Sequence, residues 1–206
     1  MVKEAIIAKR IIGLTGGIAS GKSTVASYLQ QHYHLPISDA DIYAREAVDL
    51  GSPILQHIYQ RYGGEILLPD GRLDRQHLGA IIFNQPPEKV WLEQQIHPFV
   101  RLRLEQAISQ ITSPTIVLVV PLLIEAGMID LVTEVWLVTC DPAQQIARLT
   151  TRDGLNLAAA QARIDSQMSI EQKLPFADVV LKNTSSQASL LKQVDMALNC
   201  SIEELF

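Results

Sequence analysis

Cysteine is scarce: Cys140 and Cys200 are the two in 206 residues, and they lack the spacing of a metal knuckle or a redox pair. They predict reduced thiols in a cytoplasm, one in the core and one at the surface. Long hydrophobic runs are missing too. The longest, Ile116 to Ile124, contains Pro121 and falls far short of the roughly 20 residues needed to cross a bilayer, so no membrane partner is expected. A cleaved leader is not expected, because Lys3 is followed by Glu4 and the next apolar stretch belongs to the first strand. An excess of positive charge is the third absence. Lys and Arg total 17 against 22 Asp and Glu, a net charge of −5, which argues against nonspecific nucleic-acid binding through a basic surface. An anionic substrate must therefore find local cations.

What is present is ordinary globular composition, 48% hydrophobic and 19% charged, in a chain long enough for one domain carrying insertions. Between the apolar run Arg10–Thr15 and a helical pattern from Thr24 stands Gly16-Gly17-Ile18-Ala19-Ser20-Gly21-Lys22-Ser23, a G-x-x-x-x-G-K-[ST] phosphate loop between strand and helix. Backbone N–H groups turn inward around an anion, Lys22 bridges β- and γ-phosphates, and the Ser23 hydroxyl suits Mg²⁺. ATP contacts are expected from Gly17, Ile18, Ala19, Ser20, Gly21, Lys22, Ser23 and Thr24.

Five strand-like runs alternate with helical patterns: Ile11–Thr15, Leu35–Ser38, Thr115–Val120, Glu134–Thr139 and Asp178–Leu181. Ile116–Val120 is apolar on both faces, as in parallel strands covered on each side. The expectation is an α/β, P-loop NTPase-type, doubly wound five-stranded parallel sheet. Its core comprises 1–41, 112–140 and 176–206. Residues 42–111 form an inserted helical lobe for substrate, and 141–175 a helical lid. Within the lobe, Asp70-Gly71 predicts a hairpin turn between Ile66-Leu67-Leu68 and Arg72-Leu73, Pro86-Pro87 a helix start, and Pro98 the first turn of a further helix.

Asp39 and Asp41 follow the second strand, where a phosphoryl acceptor would sit. Asp41 is assigned as the base that orients the attacking hydroxyl, and Asp39, with Ser23, to the metal side. Helix N-capping is the competing role. Arg45, one turn on, either pairs with Asp41 or contacts the acceptor. His97, before Pro98, either caps or binds. Arg148 and Arg152 share a helix face in the lid and suit phosphate oxygens, Arg148 being the catalytic choice. Glu125 either orients a neighbouring arginine, or caps, or lies in solvent. Asn183, after the last strand, either reaches the nucleotide base or forms an ordinary turn.

Taken together, Thr15–Thr24, Asp39-Ala40-Asp41 with Arg45, His97-Pro98, Val120–Glu125 and Arg152-Asp153-Gly154 resemble the dephospho-coenzyme A kinase family, over about Arg10 to Leu198. The resemblance implies a cytoplasmic Mg²⁺ enzyme that phosphorylates the ribose 3′-hydroxyl of dephospho-coenzyme A from ATP, the last step of coenzyme A synthesis. Asp41 is then the base, and Asp41, Arg45, His97 and Leu122 face the substrate. The enzyme is expected as a monomer or weak homo-oligomer. Members often carry glycine where Ala19 stands, which matters if that residue needs a positive φ, and glycine after the asparagine, where this chain has Thr184-Ser185. Shikimate-type kinases share the Asp-x-Asp but expect glycines after the third strand. A guanine-nucleotide switch would need an Asn-Lys-x-Asp-like reader near Thr139–Pro142, and an ABC-type ATPase lacks its signature. A noncatalytic nucleotide-binding protein is the remaining alternative.

Overall fold

A computed structural model describes residues 9–199. Cys200, expected at the surface, and the leader expectation at 1–5 lie outside the described residues. Strands β1 (Arg10–Gly16), β2 (Ile37–Asp39), β3 (Thr115–Val119), β4 (Glu134–Thr139) and β5 (Val179–Lys182) form one sheet in the order β2-β3-β1-β4-β5. β1 pairs in parallel with both β3 and β4, and β4 with β5. β2 begins two residues later than the sequence predicts. Pro36 has no N–H for a ladder, and its carbonyl instead accepts from Val117 N at 3.0 Å.

The chain divides into two compact units: one holds the sheet and runs to Ser38 and again from Ile108, the other is Asp39–Ala107. The sequence reading draws the insertion at 42–111 and leaves 39–41 in the core, whereas the second unit runs over Asp39–Ala107; the helices of 141–175 fall in the first unit.

In the first unit, alternate strand residues Ile12, Leu14, Val117, Val119, Trp136 and Val138 pack with Val25 and Leu29 of α1 (Lys22–Tyr33), the period-two pattern of a covered sheet face. Buried Glu134 binds Arg10 and accepts from the Trp136 indole Nε1 at 2.9 Å. Arg10 also donates to the carbonyl of Leu198 at 2.8 Å, holding the C-terminal end of the last helix against the sheet. Helices α6 (Pro142–Asp153), α7 (Leu157–Asp165) and α8 (Ile170–Lys173) lie between β4 and β5 in the chain, and α9 (Gln187–Asn199) follows β5.

The second unit contains α2 (Ala40–Glu46), α3 (Pro53–Tyr62), α4 (Arg75–Asn84) and most of α5 (Pro86–Gln110), around Leu55, Ile58, Ile66, Leu78 and Leu92. Ser52 caps α3 through Leu55 N at 3.0 Å, with Pro53 at the first position. Here Trp91 is half-buried, with the Arg61 guanidinium 4.5 Å from its ring.

Two local expectations are corrected. The hairpin is a single antiparallel bridge, Leu67 to Leu73, around the Asp70-Gly71 turn. Ile66 instead closes a 3₁₀ turn, and Asp74 at once caps α4 through Gln76 and His77 N–H groups. Pro98 does not begin a helix: α5 runs straight through it. Proline in a helix interior costs about 3 kcal/mol, but buried Leu92, Val100 and Leu104 anchor the helix on both sides, and packing overrides local preference. Among the described residues, no helix is long and apolar enough to cross a membrane.

Candidate active site

β1 delivers its carboxyl end to the phosphate loop, and α1 leaves it at Lys22. At Gly16, φ is +147°, and a Cβ there would strike the Val138 carbonyl on β4, so the loop can leave the sheet only at a glycine. Inside the turn, Ser20 N donates to Gly17 O at 3.2 Å and Thr24 N to Gly21 O at 3.1 Å. The N-terminus of α1 has no side-chain cap, so the positive end of the helix is left for an anion. Ala19 sits at φ +57°, the left-handed region where a methyl group is strained. The backbone at Ala19 thus takes a conformation that glycine adopts at no steric cost.

Two cations stand on this backbone. Lys22 Nζ donates to Gly16 O and Gly17 O, both at 2.8 Å. Arg148 reaches from α6 to donate Nη1 to Ala19 O at 2.8 Å. Arg152 does not join it. Its guanidinium binds Asp153 at 2.7 Å and is 64% exposed, and the same contact holds the Asp153 carboxyl below its ordinary range. Of Arg148 and Arg152, only Arg148 is brought to the loop.

Asn183 is also placed differently from expectation. It is buried, and its Nδ2 donates to Ser20 O at 2.8 Å. One N–H of its amide thus supports the loop. Beside Ala19 lies Cys140, the expected core thiol, buried and free. Burial pushes its thiol pKa up, outweighing the nearby Arg148. At the end of β3, Thr15 Oγ1 donates to Pro121 O at 3.1 Å, and Leu122 is half-buried. Glu125 engages a lysine. It pairs at 2.8 Å with Lys173, whose side chain is wholly buried.

In the second unit Asp39 caps α2, its Oδ1 accepting from Asp41 N at 2.8 Å. The capping role is thus real for Asp39. Asp41 occupies the exposed first turn of α2, and Arg45, also exposed, follows one turn later. His97 is half-buried within α5 rather than capping a helix start. Arg103 is held between the Tyr43 ring, 4.9 Å from its centroid, and Glu46 at 2.6 Å.

Sequence reasoning missed Gln145, Gln167 and Lys173. Gln145 Nε2 donates to Ile18 O at 2.8 Å, and Gln167 Oε1 accepts from Ile18 N at 2.8 Å. No spacing rule marks an isolated glutamine, and Lys173 reads as a surface lysine until its burial is seen.

A family model for dephospho-CoA kinase matches residues 10–189. The chain belongs to the dephospho-CoA kinase family. A dephospho-CoA kinase of Trichormus variabilis is 62% identical over 191 residues, covering 93% of this chain and 97% of that one. A dephospho-CoA kinase structure from Campylobacter jejuni is 30% identical, with a TM-score of 0.67 over 92% of this chain and 96% of that one. The crystal structure of TT1252 from Thermus thermophilus is 34% identical, with a TM-score of 0.78 over 93% and 97%. As a dephospho-CoA kinase family member the chain is a phosphotransferase with ATP as donor and a hydroxyl acceptor on dephospho-CoA, acting in coenzyme A synthesis. The switch, ATPase-module, shikimate-type and noncatalytic alternatives fall with that assignment.

Proposed function

We propose that the chain passes the γ-phosphoryl group of ATP to the ribose 3′-hydroxyl of dephospho-CoA, with Asp41 accepting the hydroxyl proton. The observation that carries this reading is the backbone cradle at the head of α1, with Lys22 and Arg148 both bound to its carbonyls. Lys22 and Arg148 exchange those carbonyls for phosphate oxygens and neutralise charge that spreads over the transferring group. Within 17–24, loop N–H groups other than those of Ile18, Ser20 and Thr24, which bind Gln167 and loop carbonyls, orient the triphosphate. Asp41, a carboxylate on an exposed first turn, holds the acceptor oxygen for in-line attack and takes its proton. Arg45, His97 and Leu122 complete the acceptor side, the unit 39–107 carries the acceptor, and 141–175 closes as a lid that excludes water.

Mg²⁺, when bound, offsets the charge on the β- and γ-phosphates. The Ser23 hydroxyl is exposed in the first turn of α1 and suits it, while Asp39, with one oxygen committed to Asp41 N, serves the metal side. Among the described residues no three His, Cys, Asp or Glu side chains are grouped to hold a metal. That suits an ion carried largely by phosphate and water oxygens. We place the enzyme in the cytoplasm, a reading supported by the free Cys140 thiol, and without a nucleic-acid partner, as the net charge of −5 supports; we take it as a monomer or weak homo-oligomer.

The test is incubation with Mg²⁺·ATP and dephospho-CoA, followed by product mass and the position of the new phosphate. A 3′-phosphate is expected; phosphate at another position, or ADP without phosphorylated acceptor, overturns the reading.

A further inference from the structure

We propose that Gln145 and Gln167 are positioning residues that clamp the phosphate loop through the two polar backbone groups of Ile18. The proposal rests on the reading above that this loop binds the phosphates of ATP.

Both hydrogen bonds of the Ile18 peptide groups go to side-chain carboxamides from outside the loop. Gln145, in the first turn of α6, donates Nε2 to Ile18 O at 2.8 Å, and Gln167, between α7 and α8, accepts from Ile18 N at 2.8 Å. The two amides therefore play opposite parts on one residue, which fixes the orientation of the peptide planes on each side of it. Ile18 directly precedes Ala19, whose φ of +57° is unfavourable for alanine by roughly 1–2 kcal/mol. A clamp on the adjoining residue is the kind of surrounding structure that such strain requires.

Both arms are themselves held. Gln145 is 95% buried, at 5% exposure. Gln167 adjoins Met168, whose N–H donates to Glu125 Oε1 at 3.3 Å, and the same carboxylate pairs with buried Lys173. The clamp also accounts for Gly17. A Cβ on Gly17 would lie 2.7 Å from Gln145 Nε2, so a side chain there would displace the amide from Ile18. That glycine leaves room for a donor from another element, a different service from admitting an anion.

The test uses the full chain and steady-state KM values for ATP and dephospho-CoA, with thermal midpoints beside them. Gln145→Ala and Gln167→Ala are each expected to raise KM for ATP about tenfold and leave KM for dephospho-CoA within about twofold, since each removes one hydrogen bond from the ATP side. Gln145→Glu keeps the size of the side chain but cannot donate, so it is expected to be at least as damaging as Gln145→Ala. Gly17→Ala combined with Gln145→Ala is expected to be no worse than the poorer single variant. If Gln145→Ala fails to fold, Gln167→Ala carries the same test at a half-buried position. Unchanged KM for ATP in both alanine variants, or a Gln145→Glu enzyme that behaves as wild type, overturns the clamp. Lys22→Ala separates the two readings: if it too leaves ATP binding intact, the phosphate-loop reading itself has failed.

Discussion

Lys173 Nζ lies 2.8 Å from Glu125 Oε1, with none of the lysine side chain exposed and the glutamate 21% exposed. An ammonium group taken fully out of water persists only beside its countercharge. Glu125→Gln leaves that charge buried without compensation, and a loss of about 3–5 kcal/mol in stability is expected by equilibrium denaturation. Adding Lys173→Met should recover most of it, because an apolar chain of similar length replaces the stranded charge. Equal stability of Glu125→Gln and wild type would contradict the pairing.

Asp41→Asn keeps the shape of the side chain and removes the proton acceptor. Turnover is expected to drop by about 10²–10⁴-fold, with KM for ATP within about twofold of wild type, a loss confined to the transition state. Lys22→Ala should instead damage ATP binding and transfer together. Wild-type turnover in Asp41→Asn would reject the base assignment.

Ala19 is held at φ +57°, and glycine adopts that conformation without steric cost. Ala19→Gly is expected to stabilise the folded chain by about 1 kcal/mol, visible as a rise of about 2–4 °C in thermal midpoint. A fall in the midpoint would mean that the freedom gained by the unfolded chain outweighs the relieved strain.

Glu88 accepts two hydrogen bonds from Arg61 and one from Tyr62, contacts that hold its carboxyl at about 2 instead of the usual 4.5. A carboxyl with a lowered folded-state pKa contributes stability above its ordinary value and loses it as pH falls toward the folded one. Stability should therefore decline between about pH 4.5 and 2, and the Glu88→Gln variant should show a flatter acid limb in pH-dependent denaturation. Parallel limbs for the two proteins would exclude Glu88 as a source of the slope.

Much of this was legible beforehand because its physical cause is local. The five strands announce themselves through apolar runs, the phosphate loop through glycine and lysine spacing, and the α2 start through Asp39, whose capping needs nothing beyond its own neighbours. Pro98 misled because local sterics favour a break, whereas Leu92, Val100 and Leu104 are bound by packing that spacing does not reveal. Arg148 and Arg152 are indistinguishable by helical periodicity. Only the neighbouring Asp153 and the position of Ala19 O decide which one turns inward. Asn183, Gln145 and Gln167 lie 163, 127 and 149 residues from the carbonyls and amide they bind, contacts that exist only once the sheet has brought them together.

The chain's two tryptophans are divided between the compact units. Trp136 is sealed within the sheet on Glu134, and Trp91 sits under Arg61 in Asp39–Ala107. Each unit thus carries its own fluorophore. Replacing either indole by phenylalanine leaves an emission signal that watches a single half of the molecule melt, so superimposed traces from the two variants would report one cooperative transition and separated traces two.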